Sequence, residues 1–553
     1  MIPALVPDAN GVLQKTLVPN RAALSYNHRE ILDPGRILLG LHHEWNPSNH
    51  TLLLLGRLAD RQHVDVDQTG FASLTRDLTP LLPPSFPFAD VDANGHPGPG
   101  QFAALKSFLG RGNILSLNPN SFDSSYSTSF ETYTAELQHI ARWGPNTLIA
   151  GGRYQEGRFD TRLALSNYNN GTTNDELVLF ESPTIRQDVS VRFERINLYL
   201  YDTLKVTPWL SISGGVTYDS LHYPDNYVYA PVNDRQSALE RVSPKAGFIV
   251  QPWTGAVIRG AYAQAISGAS FEDSIRLEPV QVAGFLQAAR SFAPETLLGS
   301  SSGSEYEFHG VSFEQRLPSR TYLGFEYNAR FQDSDRDIGG FDTLAFDGGV
   351  LAILPSSLRQ NNSYREDVFT ATINQLLGER WSLGAEYRYT RSSLRQSYPD
   401  YSHALQASEP GVTSALTNLN FETIASNSRR KQEAVLQELS LYAVYNHPSG
   451  FFARAEANWY RQHNDDFQTQ AIPRNANPIT MADYHFKTVN SGLPGADLWQ
   501  FNILAGYRFH RNQCELSCGV LNLTDADYHL NPLNPYTEVP RSRTFVARFK
   551  FTF

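Results

Sequence analysis

The last ten residues leave this chain few ways to fold. From Thr544 to Phe553, the residues Phe545, Ala547, Phe549, Phe551 and Phe553 share one parity, while Thr544, Arg548, Lys550 and Thr552 share the other. Side chains alternate between the two faces of a strand, so one face is apolar throughout and the other carries charge. An aromatic strand with an open backbone edge is a liability in water and untenable in lipid. Pairing with the first strand of the same sheet removes that edge. The pattern predicts an all-β fold, a transmembrane antiparallel up-and-down β-barrel, with Phe545, Phe549, Phe551 and Phe553 as the closing strand and assembly signal.

Composition agrees once it is read by parity. Mean hydropathy is −0.37, a value set by the polar residues that face a barrel lumen and mask the apolar ones beside them. No apolar run reaches the 18 or so residues that a spanning helix needs. The net charge of −10 argues against a nucleic-acid partner. Cys514 and Cys518 would stand about 13 Å apart on an extended strand, too far to bond, so no disulfide is expected. The opening residues, Met1 to Asn10, have neither a basic region nor an apolar core. A secretory signal is therefore expected to be removed or upstream.

Short turns alternate with long polar connections. Pro47-Ser48-Asn49, Gly144-Pro145-Asn146, Thr207-Pro208, Pro252 to Gly255, Pro318-Ser319, Gly378-Glu379, Pro448-Ser449-Gly450 and Arg511-Asn512 are rich in turn formers. Strands with strict alternation flank them, such as Leu210, Ile212, Gly214 and Val216 against Ser211, Ser213, Gly215 and Thr217. The connections 61–128, 158–190, 221–238, 267–303, 332–363, 392–430, 463–496 and 523–540 are polar and long. Short periplasmic turns and long outer loops are the asymmetry of an outer-membrane barrel. Counting from an outward strand at Arg21 to His28, which turns at Asp33-Pro34-Gly35, gives about 18 strands, within a range of 16 to 22. An even count suits closure. Residues 1–20 read as an N-terminal segment and 21–553 as the barrel, with no plug domain visible. Trp45, Trp143, Trp209, Trp253 and Trp381 lie in or beside short turns, as an interfacial aromatic girdle would.

Asn522-Leu523-Thr524-Asp525-Ala526-Asp527-Tyr528 resembles the closing motif of TonB-dependent outer-membrane receptors, with Asn522, Leu523, Asp525 and Tyr528 at its marked positions. Leu277 to Phe285 and His42 to Leu55 resemble segments of large bacterial proteins in which tetratricopeptide repeats precede such a barrel. The resemblance implies ligand import across the outer membrane. It also implies a plug domain or TonB-like energiser reached through upstream sequence. Neither a plug nor its short energiser-binding box is visible before Arg21.

Chemistry-bearing motifs are scarce. His42 and His43 are adjacent on a strand and point to opposite faces, so no metal site is expected. No nucleophile elbow or phosphate-binding loop occurs, and neither a cofactor nor an enzymatic activity is expected. Arg429-Arg430-Lys431 reads as a solvated charge run, with lipopolysaccharide as the other candidate contact. Val282, Phe285, Leu286 and Ala289 have helical spacing, so a short helix is expected within 271–296, either folded over the mouth or into the lumen or packed on its own loop neighbours. Arg153, Arg259, Glu326, Arg330, Glu386, Arg388, Arg454, Glu456 and Arg508 take the polar parity of their strands and are the lumen-facing candidates. On the lipid side each arginine would cost about 2–4 kcal/mol at mid-membrane. Expected partners are outer-membrane lipid, lipopolysaccharide and the barrel-assembly machinery. The leading function is ligand import. The alternatives are a passive porin, a polymer-export barrel with periplasmic repeats upstream, or a surface anchor or adhesin with a closed lumen.

Overall fold

The computed structural model describes residues 2–7, 13–18, 28–32, 35–78, 81, 113–167, 184–227, 231–268, 276–287, 302–346, 349–399, 429–473, 484–490, 495–509, 513–526 and 542–551. β1 (Ile2–Pro7) and β2 (Leu13–Val18) form a separate two-stranded ribbon. The first half of the main sheet holds β3 (His28–Leu32), β4 (Ile37–Asn46), β5 (Asn49–Asp77), β6 (Asn113–Trp143), β7 (Asn146–Asn167), β8 (Thr184–Thr207), β9 (Leu210–Pro224), β10 (Gln236–Val250) and β11 (Ala256–Ile266). A small hairpin, β12 (Gln281–Val282) and β13 (Phe285–Leu286), interrupts the series. The second half holds β14 (Glu305–Arg316), β15 (Thr321–Phe346), β16 (Gly349–Leu377), β17 (Trp381–Ser397), β18 (Arg429–Asn446), β19 (Phe451–Pro473), β20 (Tyr484–Asn490), β21 (Asp497–Phe509), β22 (Cys514–Leu521) and β23 (Thr544–Phe551).

Successive strands pair antiparallel and the order returns on itself as a closed barrel, with β23 next to β3 at the seam. Two pairs of strands are collinear. β3 lies on Arg61–Asp65 of β5 and β4 on Asn49–Arg57 of the same strand. Likewise β20 and β21 lie end to end along β19. The nineteen barrel strands therefore occupy seventeen positions around the ring. The expected reversal at Asp33-Pro34-Gly35 does not occur, because the segments on both sides of it share one partner edge. Gly35 takes a φ of +101° there, which the absence of a Cβ permits. With an odd count, β4 and β23 both run toward the rim of short turns. Among the described residues no register is set between them.

Over their described residues four expected connections, 61–128, 158–190, 332–363 and 463–496, are instead largely strand. β5 and β6 run 29 and 31 residues, and β15 and β16 run 26 and 29. A tilted membrane strand needs only about 9–11 residues, so these hairpins project far beyond any bilayer. In the projections the alternation of apolar and polar residues fades, but the backbone ladder persists, as in Ser125↔Ala164 and Asp335↔Asn361. Connection 463–496 is likewise strand through Pro473 and again over β20. At their far ends β5 and β15 pair parallel, Phe341↔Ser73 to Ala345↔Asp77, and bridge the mouth.

The apolar face looks outward next to the short turns. Leu137, Leu198, Leu200, Ile212, Val242, Phe248, Val311, Phe325, Ile373, Leu383, Ile503 and Leu516 are all exposed. The opposite parity is buried in the lumen, as with Arg195, Asn197, Tyr199 and Tyr201 on β8. Part of the lumen is filled by Phe130, Phe159, Phe193, Leu221 and Ile266, with the Phe130 and Phe159 rings 4.2 Å apart.

Candidate functional site

Between β11 and β14 the described residues Arg276 to Gln287 fold into the lumen, where they form a hairpin and not a helix. Ala289 lies outside the described residues. Ala283 and Gly284 both have positive φ, 49° and 92°, the geometry of a type I′ hairpin turn. That turn places Val282 and Phe285 opposite each other. Val282 and Ala283 pack on Tyr199, Tyr201, Ile149, Ile249 and Ala261, and Phe285 packs on Tyr306 and Phe308. The wall makes room with Gly247, where a Cβ would lie 2.7 Å from Ala283 Cβ and 2.9 Å from Val282 Cγ1.

Polar anchors fix the hairpin's first residues. The Glu136 carboxylate accepts the backbone N–H groups of Leu277 and Glu278 at 2.9 and 3.0 Å, and the Tyr199 hydroxyl at 2.9 Å. Gln138 donates to the Leu277 carbonyl at 2.6 Å. Glu278 accepts from Lys245 Nζ at 2.9 Å and from the Tyr201 hydroxyl at 2.6 Å, with Arg276 3.9 Å away. Gln287 donates to the Pro279 carbonyl. Burial opposes ionisation of Glu278, but Lys245 and Arg276 outweigh it with the Tyr201 hydrogen bond, and the carboxyl is held down to about 2. Backbone amides, a lysine and two tyrosines thus fasten the loop to β6, β8 and β10.

All nine lumen candidates lie on the inward face, and eight of them have side-chain partners. Arg259 pairs with Glu314, Arg330 with Glu366 at 2.6 Å, and Arg454 with Glu456. Arg388 sits between Glu386 at 3.6 Å and Glu438 at 3.9 Å. Glu326 accepts from Asn328 at 2.5 Å. Arg508 donates to Glu515 at 2.9 Å and lies 4.2 Å from the centre of the Phe452 ring. Arg153 is buried on β7. The lysine and carboxylates of the hairpin anchor, Glu136, Lys245 and Glu278, were not singled out in the sequence. Their signal was available: Glu136 and Lys245 also take the polar parity of their strands.

Trp45, Trp143, Trp209, Trp253 and Trp381 are exposed at or beside the short turns. Phe545, Phe549 and Phe551 are exposed on β23, and Phe553 lies outside the described residues. Asn522 and Asp525 take φ of 51° and 55° and tie off the end of β22. The Asn522 side chain bonds both ways with the Ala526 backbone, at 2.9 and 3.0 Å. Arg543, just before β23, donates its backbone N–H to Asp525 at 2.6 Å and its Nε to the Leu523 carbonyl at 3.1 Å. Tyr528 lies outside the described residues. In the charge run, Arg430 is committed to Asp466 at 2.6 Å and Lys431 to Glu433 at 2.8 Å. His42 lies 3.1 Å from His50, and among the described residues no group of three potential metal ligands occurs.

Between the far ends of β9 and β10 and the middle of β15 and β16 a cavity of about 450 Å³ opens. Tyr223, Asp225, Tyr227, Asp333, Asp335 and Asp337 line it, with Arg336 and Arg359. Arg235 spans Asp225 and Asp337 beside it.

No protein-family model and no curated protein matches the sequence. Several solved structures superpose on it. One is the copper transporter OprC, at 12% identity and a TM-score of 0.48, over 94% of this chain and 65% of that one. Another is the pyoverdine outer membrane receptor FpvA from Pseudomonas aeruginosa PAO1, at 12% and 0.46, over 94% and 61%. A third is the ferric-catecholate import receptor Fiu from E. coli, at 11% and 0.44, over 93% and 63%. The chain spans 54–67% of the length of the structures it resembles.

Proposed function

We propose that this chain is the barrel of a bacterial outer-membrane receptor of the TonB-dependent type, which takes a ligand at its outer mouth and passes it inward. One observation carries the membrane reading. Around the ring, exposed apolar side chains form a band beside the short turns, while the opposite face of the same strands holds paired charges. That arrangement suits acyl chains outside and a polar interior. The exposed tryptophans at the turns suit the headgroup level. The resemblance of Asn522 to Tyr528 to the receptors' closing motif supports the receptor type.

The cavity between β9–β10 and β15–β16 is the place for ligand capture, since it lies at the rim opposite the short turns. The lumen hairpin stands between that rim and the other side. An energising protein would act through a plug domain, carried on the same protein or supplied separately.

Expression in a Gram-negative host tests the reading. The chain is expected in the outer-membrane fraction, extracted only by detergent, with folded and boiled forms that migrate differently. Recovery as a buffer-soluble monomer would overturn it. Purified protein in planar bilayers is expected to conduct weakly, because hairpin and aromatic cluster narrow the lumen; a large steady current would favour the porin.

A further inference from the structure

We propose that Arg153 marks a buried site for one small monovalent anion in the lumen wall, beside the anchor of the hairpin. The residue is only 2% exposed, and none of its three guanidinium nitrogens has a hydrogen-bond partner among the described residues. Its two cross-strand neighbours are Glu136 on β6 and Asn197 on β8. Both are committed elsewhere. Glu136 holds the amides of Leu277 and Glu278 and the Tyr199 hydroxyl. Asn197 donates to Asp219, which also takes Arg195 at 2.9 Å.

Among the described residues the local charge does not balance. Arg153, Arg195, Lys245 and Arg276 supply four positive charges against three carboxylates, Glu136, Asp219 and Glu278. Arg241, the next cation along the row, is matched by Glu305. An uncompensated buried charge is costly, and arginine cannot shed its proton to escape. One negative charge closes the account. The guanidinium offers it several donors in a plane, the geometry that receives halides and small oxyanions. The Nε of Arg276, also unpartnered, belongs to the residue just before the anchored Leu277.

Bromide serves as the probe. Detergent-solubilised full chain is titrated with sodium bromide against sodium gluconate at constant ionic strength, and thermal unfolding is followed. The midpoint is expected to rise saturably with bromide and not with gluconate. Crystals soaked in bromide should show an anomalous peak within hydrogen-bonding distance of Arg153. Arg153→Gln should abolish both. Glu136→Gln, which removes one competing carboxylate, should tighten bromide binding by about tenfold. Should Arg153→Gln fail to fold, Glu136→Gln carries the test: unchanged or weaker affinity would overturn the site. So would a bromide response that survives Arg153→Gln, or a soaked crystal in which Arg153 bonds Glu136 or water and no peak is seen.

Discussion

Arg76 donates its Nε to Asp342 at 2.8 Å across the mouth of the barrel, although 266 residues separate them, and both side chains are almost wholly buried. The pair sits in the parallel contact between β5 and β15, next to the buried Leu78, Phe341 and Leu344. Removing one partner strands the other charge, which typically costs about 3–5 kcal/mol. Asp342→Ala is therefore expected to release the bridge. Amide exchange at Ser73–Asp77 and Phe341–Ala345 would rise steeply while β7 to β9 stay protected. Replacing both residues by apolar ones, Arg76→Met with Asp342→Leu, should restore most of the protection.

The hairpin anchor should respond to pH in one direction only. Glu278 is held to about 2 against an ordinary value of 4.5. A depressed carboxyl contributes stability that is complete above its unfolded value and fades as pH falls toward the folded one. The anchor is thus expected to be constant from neutrality to about 4.5 and to weaken between there and 2. Lys245→Met leaves Glu278 buried without its strongest partner and should loosen the hairpin by about 3–5 kcal/mol at neutral pH. Thermal midpoints of both proteins across that range check the sign: the difference between them should shrink in acid.

Gly247 offers a steric test that leaves the anchor's charges alone. Any side chain there meets Ala283 and Val282 at under 3 Å. Gly247→Leu should push the hairpin off the wall and raise single-channel conductance several-fold over the parent. Unchanged conductance with the hairpin still docked would show that the lumen is narrowed elsewhere.

Leu200 and Arg454 face opposite ways, outward on β8 and inward on β19. Leu200→Arg is expected to cost about 2–4 kcal/mol in bilayers, as charge at mid-membrane does. Arg454→Leu, which breaks only a half-exposed pair with Glu456, should change stability by under about 1 kcal/mol. Denaturant titration in lipid vesicles reads both.

Alternation made the belt legible from the sequence, because lipid on one side and charge on the other leave a period of two in every spanning segment. It failed where that contrast ends. Beyond the bilayer the outward face of β5, β6, β15 and β16 turns polar as well, so Ser125 or Asp335 looks like loop although its backbone is laddered. The hairpin was misread for another reason. Val282, Phe285 and Leu286 have helical spacing, and only the left-handed pair Ala283-Gly284 reveals a two-residue turn. The inward side of Arg153 followed from parity, whereas its isolation depends on how Glu136 and Asn197 spend their hydrogen bonds. The reversal expected near Pro34 rested on turn-forming residues, yet the strands on either side, β3 and β4, pair with the same edge of β5.

An odd ring has a particular mechanical consequence. Around the ring every other joint has an antiparallel register, whereas β23 and the β3–β4 position run the same way and, among the described residues, no register is set between them; a parallel joint is also slightly weaker per residue. Under lateral tension the cylinder would split there before anywhere else. A bulky cargo, or a strand offered from outside, would find its doorway between the chain's final segment and its earliest barrel segment.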